Sequence, residues 1–239
     1  MKLKIDLHCH TSHDLIEEKV SGRNDLVAPK ELIDLAVEKN YDAISLTHHG
    51  IQYRNPEIEK YALEKGLLLI PGVEGYINRK HILMINFPII KGINSYDDLC
   101  KQKSEDTLVI APHPYYKTAH CIGEDLVPNI KCFDAIEHSH LYFSFLNPNK
   151  KAVEVARKYN LPVIGNSDTH LKFQFGTTYS IVEAEEKSIP SIIKAIKAGK
   201  VECVTSPLPF RLFVKGVMWS LRQFPITMKQ LFFRYLEFF

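Results

Sequence analysis

The feature that most constrains this chain is a repeated way of ending an apolar run. Short strand-like stretches alternate with amphipathic ones, and six of the apolar stretches run into histidine or carboxylate. "IDLHCH" ends on His8 and His10, "AISLTHHG" on His48 and His49, and "LLLIPGVEGY" carries Glu74. "LVIAPHPY" carries His113, "DAIEHSH" carries Glu137, His138 and His140, and "PVIGNSDTH" carries Asp168 and His170. Strands buried on both faces read as continuous apolar runs, and a strand–helix alternation points to an α/β fold with a parallel sheet. If such a sheet closes into a barrel, all strand ends open on one mouth, and residues distant in sequence meet there.

Strands are predicted over Leu3–His10, Asp42–His48, Leu67–Glu74, His81–Phe87, Thr107–Pro112, Asp134–Glu137, Pro162–Gly165 and Tyr179–Glu183. Helices are predicted over Pro29–Lys39, Asn147–Tyr159 and Ser188–Gly199, the last with a glycine suited to a C-cap. The 239 residues suit one α/β barrel, and an apolar fraction of 45% suffices for its core. Five cysteines form no CxxC pair and leave one odd, which predicts reduced thiols and a cytoplasmic chain. The first predicted strand leaves no room for a signal peptide, and no apolar stretch is long enough to span a bilayer. Net charge is +2, with Arg211, Lys215, Arg222, Lys229 and Arg234 set against Glu237 in the last thirty residues. The near-neutral body disfavours long nucleic acid as a partner.

Divalent metal is the common cause that best explains the polar strand ends. Imidazole and carboxylate are the ligands of Zn, Mn and Fe centres. In His8-x-His10 both rings point to one side of a strand, so they can chelate one ion, and Asp168-x-His170 repeats the spacing.

The same residues resemble the PHP (polymerase and histidinol phosphatase) family. Its motifs appear here as Asp6-Leu7-His8-Cys9-His10-Thr11, Thr47-His48-His49, Pro71-Gly72-Val73-Glu74, His81-Ile82-Leu83, His113-Pro114 and Asn166-Ser167-Asp168-Thr169-His170. The resemblance covers roughly residues 3 to 205. It implies a distorted (β/α)7 TIM-like barrel over residues 1–206, with two or three divalent ions at its mouth. His8, His10, Glu74 and Asp168 would hold one ion; Glu74 would bridge to a second on His81 and His113; Asp14, His49 and His170 would hold a third. His48 stands where the family has Asp, and is read as either a substrate contact or a surface residue. The early acid lies one residue short of its usual place, leaving His13 as a competitor to Asp14.

The implied reaction is hydrolysis of a small phosphoester by hydroxide generated at the metals, with Glu74, Asp168 and His170 at its centre. His48 and the basic residues Arg54, Arg79 and Lys117 are candidates for holding the phosphorylated substrate. Glu137 is read as orienting its neighbours, and His120 as a solvated loop residue. Nuclease action on short oligonucleotides or RNA ends, metal-dependent C–N hydrolysis, and a non-catalytic metal-stabilised regulatory module are the alternatives. Residues 207–239 read separately, as an amphipathic helical extension with Phe210, Phe213, Val214, Val217, Met218 and Leu221 on one face. That face suits the barrel's own surface, a second subunit or partner, or a membrane interface.

Overall fold

The computed structural model describes residues 1–16, 26–209 and 211–212. Apart from residues 207–209, 211 and 212, the amphipathic extension lies outside them. Among the described residues ten strands form two five-stranded sheets. The first has the order β10 (Val201–Thr205), β9 (Thr178–Glu183), β1 (Lys2–Cys9), β2 (Ala43–Leu46) and β3 (Leu68–Leu69). The second runs in sequence order: β4 (Gly72–Ile77), β5 (Lys80–Ile85), β6 (Leu108–Ala111), β7 (Ala135–Ser139) and β8 (Val163–Asn166).

Two sequence expectations are corrected here. The run Leu67–Glu74 is two strands, not one. It breaks around Pro71, which has no N–H for a ladder, so Glu74 lies inside β4 rather than after a strand. Nor is the sheet purely parallel: β4 and β5 form an antiparallel hairpin turning through Asn78 and Arg79, both at positive φ, and β5–β6, β1–β9 and β9–β10 are antiparallel too.

The sheets do not close into one continuous barrel. They nevertheless share one interior, where Leu3, Ile5 and Leu7 of β1 pack with Leu83 and Ile85 of β5, Ile110 of β6 and Ile164 of β8. Each such side chain contributes about 1.5–3 kcal/mol by leaving water. At the β1–β8 seam side chains replace most of the ladder. Leu7 N–H donates to Asn166 Oδ1 at 2.9 Å, and Ser167 N–H donates to Asp6 Oδ1 at 3.2 Å. Isolated bridges at Cys9–Thr169 and His49–Glu74 join the two sheets at the histidine-rich end. Those two bridges bring the residues of both sheets to a single mouth.

The helices pack outside. α1 (Pro29–Glu38) buries Leu32, Ile33 and Ala36 at helical spacing. α2 (Pro56–Glu64) and α3 (Tyr96–Gln102) are additional to the predicted set; Asn55 caps the first by accepting from Glu57 N–H, and Ser95 caps the second through Asp98 N–H. α4 (Asn149–Lys158) and α5 (Ile189–Lys197) match prediction to within a few residues, and Gly199 takes the expected positive φ after α5.

The cysteine expectation also fails in part. Cys100 of α3 and Cys132 of a 3₁₀ turn form a disulfide, while Cys9, Cys121 and Cys203 are free. A separation of 32 residues gives no short motif to recognise; the two are brought together only when α3 packs on that turn. Among the described residues no helix is long and apolar enough to cross a membrane.

Candidate metal centre

β1 delivers His8 and His10 to the mouth side by side, their Nε2 atoms 3.1 Å apart and both rings fully buried. Asp168 Oδ1, arriving after β8, stands 3.3 Å from His8 Nε2 and 3.5 Å from His10 Nε2. Glu74 enters from β4 with its two oxygens divided. Oε1 is 3.5 Å from His8 Nε2 and 3.2 Å from His113 Nε2; Oε2 is 3.3 Å from His10 Nε2 and 3.0 Å from His49 Nε2. Ligands about 2.1 Å from a tetrahedral ion lie about 3.4 Å from each other, so these separations are those of donors around cations. Among the described residues three donor groups satisfy that geometry: His8–His10–Asp168, His8–Glu74–His113 and His10–His49–Glu74.

The ring tautomers point the same way. His8 Nδ1 is 2.9 Å from Glu137 Oε1, and His10 Nδ1 is 2.9 Å from Asp14 Oδ2. His49 Nδ1 is 2.8 Å from the same Asp14 oxygen, and His113 Nδ1 is 3.3 Å from Cys121 Sγ. An imidazole that donates from Nδ1 presents its Nε2 lone pair on the opposite side, which here is the centre of the site. His81 offers a further test. Its Nδ1 is 2.6 Å from Glu74 Oε1, and its Nε2 is buried with no hydrogen-bond partner. A cation is the ligand that such donors fit.

The electrostatics follow from carboxylate and imidazole crowding. Burial works against the charged form of His8, but Asp168, Glu137 and Glu74 outweigh it and raise its pKa well above the usual value. Burial likewise opposes protonation of His49, but bonds to Asp14 and Glu74 lift it to about 10. His10 is lowered by burial and by neighbouring His170 and His49. Glu74 is held far below the usual carboxylate range, burial being overcome by His81 and His8 and by bonds from His10 and His113. His113 (φ 29°) and Asp168 (φ 47°) both sit in the left-handed region, strain that functional sites retain because it aims side chains.

Several residues from the sequence reading stand elsewhere. Asp14 lies behind His10 and His49 and in none of the three donor groups. His170 stacks on His10 with ring centroids 4.3 Å apart, and its Nδ1 donates to the Asp168 carbonyl. His13 lies 2.8 Å from the Tyr53 hydroxyl. His48 is buried, with Nε2 2.9 Å from Thr11 Oγ1; burial lowers its pKa to about 3, with His10 adding to the effect. His48, His13, His49 and Tyr53 line a cavity of about 450 Å³ beside the donors. Arg54 is turned away and pairs with Glu59 at 2.7 Å. Arg79 is exposed at the β4–β5 turn, and Lys117 is exposed in the loop after β6. His120 is not merely solvated: it stacks on His81, with ring centroids 5.0 Å apart.

Sequence reasoning missed Cys121, whose contact with His113 no spacing announces. Glu137 is the more consequential supporting group. Oε1 accepts from His8 Nδ1 and Asn166 Nδ2, and Oε2 accepts from His113 N–H at 2.7 Å. Glu137→Gln places an amide among three donors. Metal affinity is expected to fall about 10- to 100-fold with circular dichroism unchanged, as read by competition with a chromogenic chelator.

Fold and site together define an α/β protein with a candidate divalent-metal centre. Comparison with known proteins narrows this. A family model described as PHP-associated matches residues 147–201. Over 126 residues the chain is 28% identical to the uncharacterized protein MJ1587 of Methanocaldococcus jannaschii, an alignment covering 51% of this chain and 74% of that one. A two-domain protein of Bacteroides vulgatus containing a predicted PHP-like metal-dependent phosphoesterase shares the fold with a TM-score of 0.66 at 22% identity, over 86% of this chain and 65% of that one. The lesion-specific endonuclease PfuEndoQ of Pyrococcus furiosus does so with a TM-score of 0.56 at 18% identity, over 85% of this chain and 58% of that one. The chain thus spans less than two thirds of either structural relative. The PHP-associated match lies within residues 147–201, and the two structures show that the chain shares their fold.

Proposed function

We propose that this chain is a metal-dependent phosphoesterase acting on a small phosphorylated substrate, a phosphomonoester or a small phosphodiester. The observation that carries the reading is the position of Glu74, whose two oxygens reach the inward nitrogens of His8, His10, His49 and His113. His8, His10 and Asp168 would hold one divalent ion, and Glu74 with His113, His49 and the adjoining rings would hold a second or third. Donors that are histidine and carboxylate without thiolate suit Zn, Mn or Fe. When bound, such ions activate water and neutralise charge on a phosphoryl group.

The chain's own residues do the rest. Glu137 and Asp14 hold the tautomers of His8, His10 and His49, and Cys121 contacts the rear nitrogen of His113. The near-complete burial of His8, His10 and Glu74 keeps bulk water from screening their charges. His48, uncharged and bonded to Thr11, lines the adjoining cavity with Tyr53, where the organic part of an ester can rest. The body's near-neutral charge supports a small substrate over a long polyanion.

The test is a substrate panel with chelator-stripped protein before and after reloading with Mn or Zn, using p-nitrophenyl phosphate, bis-p-nitrophenyl phosphate, nucleotides, short RNA and simple amides. Hydrolysis of a small phosphoester only after reloading is the expected result. Cleavage confined to RNA or to amides replaces this reading with a nuclease or a C–N hydrolase. Inertness toward every member with metal in place leaves a structural metal site.

A further inference from the structure

The chain leaves β7 at Ser139, and His140 is the next residue. Ser139 is in register with Asn166 of β8, so His140 emerges beside the segment that runs through Ser167 into Asp168. Its side chain is buried, with the residue only 2% exposed, yet neither ring nitrogen has a hydrogen-bond partner. Its backbone carbonyl accepts from Tyr142 N–H at 2.9 Å. Burial lowers its pKa to about 4, and the charges acting on it next are those of Asp168, His170, Glu137 and His8. The ring therefore lies within the field of the metal centre, but it belongs to none of the three donor groups.

A buried polar atom without a partner costs about 1–3 kcal/mol, and native structures rarely keep one without use. The rings of His8, His10, His49 and His113 each have their rear nitrogen matched to a protein group. His140 has neither nitrogen matched. A phosphoryl group brought up to Asp168 would meet a carboxylate on that flank, and an N–H donor there offsets the repulsion.

We infer that His140 is a substrate-contacting residue whose ring N–H donates a hydrogen bond to a phosphoryl oxygen lodged beside Asp168. This rests on the phosphoesterase reading and assigns that site a contact from outside the metal donors. Oxygens of a tetrahedral anion are the acceptors that such a donor fits.

The experiment is isothermal titration of inorganic phosphate into Mn-loaded protein, with metal content measured by elemental analysis. His140→Leu fills the space without a donor, and because the ring makes no hydrogen bond its loss breaks none; His140→Gln restores an N–H donor. His140→Leu is expected to keep its manganese and bind phosphate about tenfold more weakly or worse, the loss of one hydrogen bond to a charged group, while His140→Gln recovers part of the affinity. Equal phosphate affinity in wild type and His140→Leu overturns the inference alone. So does loss of manganese from either variant, which makes the ring a ligand or a support. Should His140→Leu not fold, a His140→Gln protein binding phosphate no better than buffer overturns it. Wild-type protein that holds manganese but binds no phosphate overturns both the inference and the functional reading beneath it.

Discussion

Glu74→Gln is expected to lower metal-dependent turnover by about 10³-fold and to leave the protein with a reduced metal complement. Glu74 takes part in two of the three donor groups, His8–Glu74–His113 and His10–His49–Glu74, while His8–His10–Asp168 does not use it. An amide has one acceptor oxygen and no charge, so it cannot serve both groups at once. The variant should therefore retain metal at the Asp168 group and lose it at the others. Asp168→Asn should do the reverse, sparing the groups that depend on Glu74. Elemental analysis beside turnover separates the two patterns. The stripped variant should also be less stable than stripped wild type. Glu74 is buried, and its removal leaves His8 and His49 without a carboxylate that supports their raised pKa values. Breaking a buried pair in this way costs about 3–5 kcal/mol. A Glu74→Gln protein with full metal content and normal turnover would remove the bridging carboxylate from the account.

How much of this was legible in the sequence depends on how local each signal is. His8-x-His10 was readable because strand side chains alternate, and the structure sets their Nε2 atoms 3.1 Å apart. Asp168-x-His170 shared the spacing but not the outcome. The left-handed φ of Asp168 turns the chain, so Asp168 meets His8 while His170 stacks on His10. The place of Glu74 inside β4 was hidden because Pro71 divides an apolar run that reads as continuous. Two helices were missed although their caps were in view. Asn55-Pro56 and Ser95 with Asp98 three residues on are helix starts, but the helices behind them are short and, in α2, polar. Asp14 was read as a ligand of a third ion, and the structure sets its Oδ2 against the Nδ1 atoms of His10 and His49; whether a carboxylate touches metal or the rear of a histidine is decided by a through-space angle that no spacing encodes. The Cys100–Cys132 disulfide and the Cys121–His113 contact are of the same kind, made by packing of elements distant in sequence.

Metal binding is expected to release protons and to strengthen steeply as pH rises. In the stripped protein His8, His49 and His113 have raised pKa values, about 10 for His49, so all three carry a proton at pH 7. A cation needs the Nε2 lone pair, so each ring must lose a proton when metal enters. Every proton released makes apparent affinity rise about tenfold per pH unit. Titration of Mn or Zn at pH 7 in buffers of different ionisation enthalpy reads the number directly. Stability carries the same signature with a definite sign. Raised histidines stabilise the stripped fold fully below their unfolded pKa near 6.5, and that contribution is lost as pH climbs through the folded values, about 10 for His49. Depressed Glu74, Asp168 and Asp14 stabilise it above an unfolded pKa near 4, and theirs is lost as pH falls through the folded values. His10, His48, His81 and His140, buried and lowered, act the other way and weaken the fold as pH falls below their unfolded value, so stripped protein should be most stable at about pH 6.5 and weaken from pH 6.5 to 8.5. Metal-loaded protein, its rings already deprotonated, should not weaken there, so the rise in Tm on adding metal should widen with pH. A Tm difference that stays constant across that range, with no buffer-dependent heat of binding, would mean that the cations do not bind at these histidines.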